Sequence, residues 1–284
     1  MSLETFNRTR KLGKILSKVI TYFAVHYREY TDLFPLDKRD LEVLKIASKY
    51  PFKVGTFRTD FVLTPQKKIK IIEMTTRYPL NSYFTNGYLH EIAKQQALDL
   101  QVENFMDLHP KFLEYFWERL TYKRHVVVIK GRGKMTGFND YSQILPLTDV
   151  KFDVIELDNL PEQLSLLEDA NIIGEWTIEE IKNLPDAIID KLCSLGIFND
   201  FRNLFLVHDK RFYVMLSNSR FLNDVLTLQE QALLSIFTFP SYIYDLHKEC
   251  FEMARKWREG WILKPYRAGK SEGVVAGCLT SAEE

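Results

Sequence analysis

The first 50 residues carry hydrophobic positions at helical spacing. Leu12, Leu16 and Val19 recur every three to four residues, which places their side chains on one face of an α-helix. This pattern predicts a helix over residues 3–30. The same spacing predicts a second helix over 38–50, so the N-terminal part of the chain is expected to be helical.

The pattern then changes to two short runs that are rich in β-branched and aromatic residues. Strands are predicted over 57–63 and 68–74, and only four turn-like residues separate them. A connection this short favours an antiparallel β-hairpin. Helices are predicted to follow over 88–100 and 110–121.

Residues 124–190 have the pattern of a separate α/β lobe. Buried strands are predicted at 126–129, 153–157 and 171–173, with helical segments between them. Alternation of strands and helices is typical of a parallel sheet.

The last third of the chain returns to mixed structure. Strands are predicted at 203–208 and 211–216, helices at 227–237 and 241–258, and a final strand at 261–264. The fold class is therefore α/β, or α+β mixed.

Composition narrows the functional classes. Of the 284 residues, 46% are hydrophobic, enough for a sizeable core. The 38 Lys plus Arg residues balance 38 Asp plus Glu residues, and without an excess of positive charge a nucleic-acid partner is not expected. The three cysteines lack CxxC spacing, which argues against a disulfide framework or a zinc site. No signal peptide and no apolar run of membrane-spanning length is visible. We expect a cytoplasmic protein without a membrane partner, and the oligomeric state is left open.

The predicted hairpin carries the first group of candidate site residues. Arg58 and Asp60 are two positions apart on one strand and therefore share a face. Glu73 on the second strand is expected on the same face. Two carboxylates suit Mg²⁺ with substrate phosphates, and the arginine suits a phosphate or carboxylate. A solvent-exposed hairpin with weakly paired charges is the alternative, although the apolar neighbours argue against it.

The second group is a lysine-bearing strand followed by a glycine-containing loop. Lys264 ends the strand, and Gly269, Lys270 and Gly273 follow in the loop. Backbone N–H groups of such loops hold phosphate oxygens, and a lysine adds a positive charge. The segment is not a Walker A loop, because Lys264 stands where the first glycine of that motif is required. An ordinary strand–turn–strand remains the alternative for the loop alone.

Together, these two segments resemble the ATP-grasp family. Residues 57–63 and 70–77 resemble its R-x-D-[aromatic] and E-x-N strands, and 261–273 resembles its lysine strand and glycine loop. The order of the segments is similar to that in glutathionylspermidine synthetases and eukaryotic-type glutathione synthetases. His208-Asp209-Lys210-Arg211 also looks like part of this group.

The resemblance implies an ATP- and Mg²⁺-dependent ligase that joins a small-molecule carboxylate to an amine through an acyl phosphate. It implies that Arg58 orients the substrate carboxylate or the transferred phosphoryl group. The remaining roles implied by the resemblance are metal binding by Asp60, Glu73 and Thr75 and ATP binding by Lys210, Lys264, Gly269, Lys270 and Gly273.

The same resemblance implies a permuted ATP-grasp-like core with an inserted α/β substrate lobe. The corresponding divisions are 1–123 with the metal-binding hairpin, 124–200 as the lobe, and 201–284 as the start of a nucleotide-binding subdomain. The ATP-grasp fold needs a further stretch beyond the glycine loop, so we expect that the sequence is part of a longer protein.

Two alternatives stay open at this point. Thr75 replaces the expected metal-binding Asn, and the loop has only two glycines, which favours a non-catalytic relative that binds a nucleotide or a peptide. A further alternative is an α/β protein whose likeness to ATP-grasp enzymes is accidental.

Overall fold

The computed structural model divides into two compact units. It describes residues 3–77, 91–99, 114, 123–132, 151–267 and 272–280. The first unit comprises Met1–Leu41, Thr59–Thr75 and Arg202–Glu284, and the second comprises Glu42–Arg58 and Thr76–Phe201. The division at 123 and 200 that the sequence suggested stays a prediction.

The described elements are short, apart from the first helix. The helices are α1 (Leu3–His26), α2 (Lys38–Ala47), α3 (Ile178–Lys182), α4 (Asp186–Leu195), α5 (Phe212–Met215), α6 (Ser219–Val225), α7 (Leu228–Phe237) and α8 (Lys248–Lys256). The strands are β1 (Arg58–Leu63), β2 (Ile69–Thr75), β3 (His125–Lys130), β4 (Lys151–Glu156), β5 (Asn171–Glu175), β6 (Ile262–Leu263) and β7 (Val275–Ala276). The chain is therefore mixed α/β, as predicted, with its strands in small sheets.

The core of the first unit forms around Phe23 on α1. Its ring is fully buried and packs edge-on against Phe34 at 5.2 Å and Phe221 at 5.6 Å, and stacks on Phe212 at 5.7 Å. The helix predicted over 3–30 is confirmed as α1 followed by a short 3₁₀ turn. Aromatic side chains from distant parts of the sequence thus complete the face that α1 presents.

The predicted hairpin is confirmed as β1 and β2, which are neighbours in a two-stranded sheet. The Thr64 N–H donates to the Lys68 carbonyl at 2.9 Å and closes the turn. Lys70 on β2 donates to the Thr238 carbonyl at 2.8 Å, just after α7. That contact anchors β2 within the first unit.

The second unit contains the predicted parallel sheet, which is confirmed with the order β4-β3-β5. The central strand β3 is buried along its apolar run, as expected for a strand with neighbours on both sides. After it, the Arg132 N–H donates to the Glu180 carboxylate at 2.7 Å. Because Glu180 also completes the capping box of Thr177, it connects the end of β3 to the start of α3.

Asn199 joins the two chain segments of the second unit that precede β1 and follow β2. Its side-chain oxygen accepts from the Thr56 N–H at 2.7 Å. Its amide group donates to the carbonyls of Thr56 at 3.0 Å and Thr76 at 2.6 Å. One side chain therefore satisfies three backbone groups. Gly55 has a φ of +63°, and a Cβ there would lie 1.9 Å from the Asn199 oxygen.

Two strand predictions are wrong. Residues 203–208 form a π-helical turn at Asn203–Val207, and residues 211–216 contain the helix α5. Every residue of Asn203–Val207 is buried. Periodicity does not distinguish a strand from a helical turn when all sides of a short apolar run are buried.

The helix predicted over 241–258 is shorter than expected. Only Lys248–Lys256 is α-helical. The residues just before it form a turn, in which the His247 ring nitrogen accepts the Ile243 N–H at 3.1 Å. Residues 91–99 are helical as predicted, whereas the helix predicted over 110–121 lies outside the described residues except for the helical Glu114.

Within the part of the chain that the structure describes, none of the helices combines the length and the apolarity that crossing a bilayer requires.

Phe23→Ala is expected to lower the free energy of unfolding by about 3–5 kcal/mol, since three rings would border the cavity it leaves. Val25→Ala is the control on the same helix: Val25 is 55% exposed, and we expect a change within about 0.5 kcal/mol. Urea unfolding followed by circular dichroism measures both. Equal effects of the two substitutions would contradict the assignment of the core.

Asn199→Ala is expected to lower the free energy of unfolding by about 2–3 kcal/mol, because three backbone groups lose their partner. Asn223→Ala is the control, since this exposed asparagine accepts a single bond from Gln231 at 3.1 Å and its loss should change stability by less than about 1 kcal/mol. The same urea series measures the difference. A neutral Asn199→Ala would show that solvent replaces these bonds.

Candidate functional site

Lys264 directly follows β6 and lies against β2. Its ammonium group donates to the Ile72 carbonyl at 3.0 Å, which places it beside the residue that precedes Glu73. Burial lowers the pKa of Lys264; the charge of Glu73 acts to raise it and that of Lys210 to lower it further. Glu73 and Lys210 are therefore both close enough to act on this ammonium group.

Tyr213 on α5 lies near the two carboxylates of the hairpin. Burial raises the pKa of its hydroxyl, and the charges of Glu73 and Asp60 raise it further. The Met74 backbone has a smaller effect in the opposite direction on this pKa. The buried hydroxyl has no hydrogen-bond partner among the described residues. It is thus a neutral group beside two acidic side chains.

We refer to Asp60, Glu73, Lys210, Lys264 and the Tyr213 hydroxyl as the charged cluster. All five belong to the first unit, and the four charged side chains are half-buried. The cluster combines two carboxylates with two ammonium groups. Such a combination has the chemistry to hold an anionic group directly and a cation that accompanies it.

A buried network of arginines and aspartates lies next to the cluster. Arg267 donates to Asp209 at 3.1 Å and to both carboxylate oxygens of Asp40. Arg211 donates to the same Asp209 carboxylate at 2.7 Å, and also to the Pro35 carbonyl. Asp209 is fully buried, so it depends on these donors. We call these four side chains the arginine–aspartate network.

The network keeps Arg267 charged. Burial by itself would lower the pKa of its guanidinium, but the hydrogen bonds and charges of Asp40 and Asp209 outweigh that effect and raise the pKa. Lys210 is bracketed by this network along the chain. Lys210 lies between Asp209 and Arg211 in sequence, and its N–H donates to the Tyr266 carbonyl at 2.8 Å.

The other predicted site residues are placed as follows. Thr75 is the half-buried last residue of β2. Gly273 has a φ of +65°, and a Cβ there would lie 2.7 Å from the Pro265 ring, so glycine suits this turn. Arg58 begins β1 but is assigned to the second unit, and the cluster does not include it. Gly269 and Lys270 lie outside the described residues.

A divalent cation in the cluster would need ligands beyond the protein. Among the residues that the structure describes, no group of three His, Cys, Asp or Glu side chains is placed to hold a metal ion. Asp60 and Glu73 supply two carboxylates, which is sufficient for Mg²⁺ when phosphate oxygens and water complete its octahedron. The donor set therefore fits a cation that arrives with a phosphate.

Sequence reasoning missed Tyr213, Asp40 and Arg267. Tyr213 lies in a segment that was interpreted as a strand, and no spacing links Asp40 to an arginine 227 positions away. The pair Asp209 and Arg211 offered the only local signal, since an aspartate two residues before an arginine suits a charged turn.

The chain is thus a mixed α/β protein with a half-buried cluster of two carboxylates and two ammonium groups. The AnkG N-terminal domain model matches residues 9–206, which is more than half of the chain. The chain therefore belongs to the AnkG N-terminal domain family. No curated protein matches the sequence. The family match includes Asp60 and Glu73, whereas Lys210 and Lys264 lie beyond it.

This family assignment corrects the resemblance that the sequence suggested. The chain is not identified as an ATP-grasp ligase or as a relative of glutathionylspermidine synthetase, because the matching family is the AnkG N-terminal domain. The carboxylate–amine reaction and its two substrates were inferred from that resemblance alone, and they lose that support.

Asp209→Asn is expected to lower the free energy of unfolding by about 3–5 kcal/mol, because Arg211 and Arg267 would keep their charges in a buried place without a full partner. Asp32→Asn is the matched control: Asp32 also pairs with an arginine, Arg220, at 2.8 Å, but both side chains are more than half exposed. We expect the control to change stability by at most about 1 kcal/mol. Urea unfolding measures both, and similar effects would show that the network is dispensable.

Proposed function

We propose that the charged cluster binds a phosphate-bearing small molecule together with Mg²⁺. The observation that carries the proposal is the position of Lys264. Its half-buried ammonium group donates to the Ile72 carbonyl and lies close enough to Glu73 and Lys210 for the charges of both to act on it. ATP with Mg²⁺ is the ligand predicted from the sequence, and it is the natural first probe.

The electrostatics of the cluster support an anion beside Lys264. In the free protein burial lowers the pKa of Lys264; Glu73 opposes this shift and Lys210 adds to it. A phosphate close to both lysines would reverse this effect, because an opposite charge favours the protonated form. The protein would therefore gain electrostatic stabilisation at this position on binding.

The carboxylates support a cation on the other side of the same ligand. Glu73 and Asp60 both act on the Tyr213 hydroxyl, so both carboxylates lie near that hydroxyl. A Mg²⁺ ion held by these carboxylates would bridge to the phosphate oxygens of the ligand. Tyr213, which is neutral and buried, would donate its hydroxyl hydrogen to a carboxylate or a phosphate oxygen.

The proposal is one of binding. The chemistry of the cluster does not identify a second substrate, so turnover is a separate question. A measurement of ADP release with and without amines addresses it.

Thermal and urea unfolding with tripolyphosphate or ATP, each with and without Mg²⁺, tests the proposal. At about a hundred times its dissociation constant, a ligand should add about 2.7 kcal/mol to the free energy of unfolding. Glu73→Gln is expected to remove the benefit of Mg²⁺, and Lys264→Ala to weaken binding whether or not Mg²⁺ is present. Lys68→Ala, which removes an exposed lysine from the β1–β2 turn, should bind like the wild type.

Circular dichroism establishes that each variant is folded before binding is compared. The proposal fails if the wild-type chain shows no shift with either ligand. It also fails if Lys68→Ala weakens binding as much as Lys264→Ala, since the effect would then reflect overall charge rather than the cluster.

A further inference from the structure

Tyr266 lies on the chain segment that carries Lys264, at the point where that segment is bonded to the segment that carries Lys210. It follows Lys264 by two residues, and its carbonyl accepts the Lys210 N–H at 2.8 Å. Tyr266 therefore stands where the chain segments that carry the two lysines meet.

One side of the Tyr266 ring is held by a cation. The Arg211 guanidinium carbon lies 4.3 Å from the centre of the Tyr266 ring and 4.7 Å from that of Phe34, so the guanidinium makes cation–π contacts with both rings. Arg211 is itself fixed by Asp209. Arg267 bonds the same Asp209 oxygen as Arg211 and lies 5.7 Å from the Tyr266 ring centre.

Half of Tyr266 remains accessible. Its exposed fraction is 50%, although the cation–π contacts and the carbonyl bond restrict its movement. An aromatic surface that is already immobilised loses little conformational freedom when a flat ligand stacks on it. Aromatic side chains with this arrangement stack on nucleobases, irrespective of which base is present.

We propose that Tyr266 stacks the aromatic base of the ligand, so that the charged cluster takes nucleoside phosphates rather than phosphates in general. This inference rests on the proposed function and specifies its ligand class. The base lies on the exposed part of the Tyr266 ring, and the phosphate chain extends from there toward Lys210 and Lys264.

The test compares two ligands that share a phosphate chain and differ in the base. Mg²⁺–ATP and Mg²⁺–tripolyphosphate are titrated calorimetrically into the wild type, Tyr266→Ala and Tyr266→Phe. The wild type should bind ATP about 5- to 150-fold more tightly than tripolyphosphate, the ratio expected from one stacked base. Tyr266→Ala should lose that preference while its affinity for tripolyphosphate stays within about twofold, and Tyr266→Phe should keep it.

UTP extends the same comparison, because stacking without base readout predicts a preference over tripolyphosphate in the same direction as that of ATP. Tyr266→Leu separates stacking from the packing of Arg211, since leucine covers the guanidinium without an aromatic face. We expect Tyr266→Leu to behave like Tyr266→Ala in the ligand comparison.

The outcomes distinguish this inference from the proposed function. If tripolyphosphate binds and ATP binds no more tightly, the cluster is a phosphate site and the role of Tyr266 is refuted. If Tyr266→Ala weakens both ligands equally, Tyr266 acts only through the fold, which also refutes it. If the wild type binds neither ligand, the proposed function fails and this inference fails with it.

Discussion

The salt bridges of Arg267 with Asp40 and Asp209 hold together the part of the first unit on which the charged cluster depends. They join residues that are 227 and 58 positions apart in sequence. Burying these charges is unfavourable unless each is paired and hydrogen-bonded, and the observed geometry meets this requirement. As a consequence, the segments that carry Lys264 and Lys210 are kept next to each other, with the Lys210 N–H bonded to the Tyr266 carbonyl.

Lysine side chains attach the hairpin of β1 and β2 to the rest of the first unit. It is a two-stranded sheet, and two-stranded hairpins are marginally stable by themselves. Two lysine side chains join β2 to neighbouring segments. Lys70 on β2 donates to the Thr238 carbonyl, and Lys264, outside the hairpin, donates to the Ile72 carbonyl on β2. Lys264 thus has a structural contact in addition to the charge that the proposed function assigns to it.

Two short segments of this chain resemble those of ATP-grasp enzymes, although the chain belongs to a different family. Charged residues two apart on a strand share a face in any hairpin, and lysines beside carboxylates suit any phosphate site. Those features therefore indicate chemistry, and they do not identify a family. The family match extends over 9–206 and depends on the pattern of a whole domain, which is why it overrides two segments of a few residues each.

The sequence determined the elements whose pattern has a clear period. Helix α1, the hairpin and helix α7 lie close to their predicted positions, because side chains alternate on strands and recur every 3.6 residues on helices. The strands β3 to β5 have no such period and were recognised as short apolar runs between helical segments. The run Asn203–Val207 was misassigned because it is buried on all sides and therefore has no period. Its helical form is a result of tertiary packing.

The same division holds for the site. The sequence identified Asp60, Glu73 and Lys264 as candidates from residue type and local spacing, and Lys210 from the ATP-grasp resemblance. Whether these residues bind a phosphate with Mg²⁺ stays a prediction. Only the tertiary structure placed Tyr213 beside the carboxylates and paired Arg267 with Asp40. The physical reason is that ion pairs and buried hydroxyls depend on distances in space, and those distances are set by how the whole chain packs rather than by the spacing of neighbours along it.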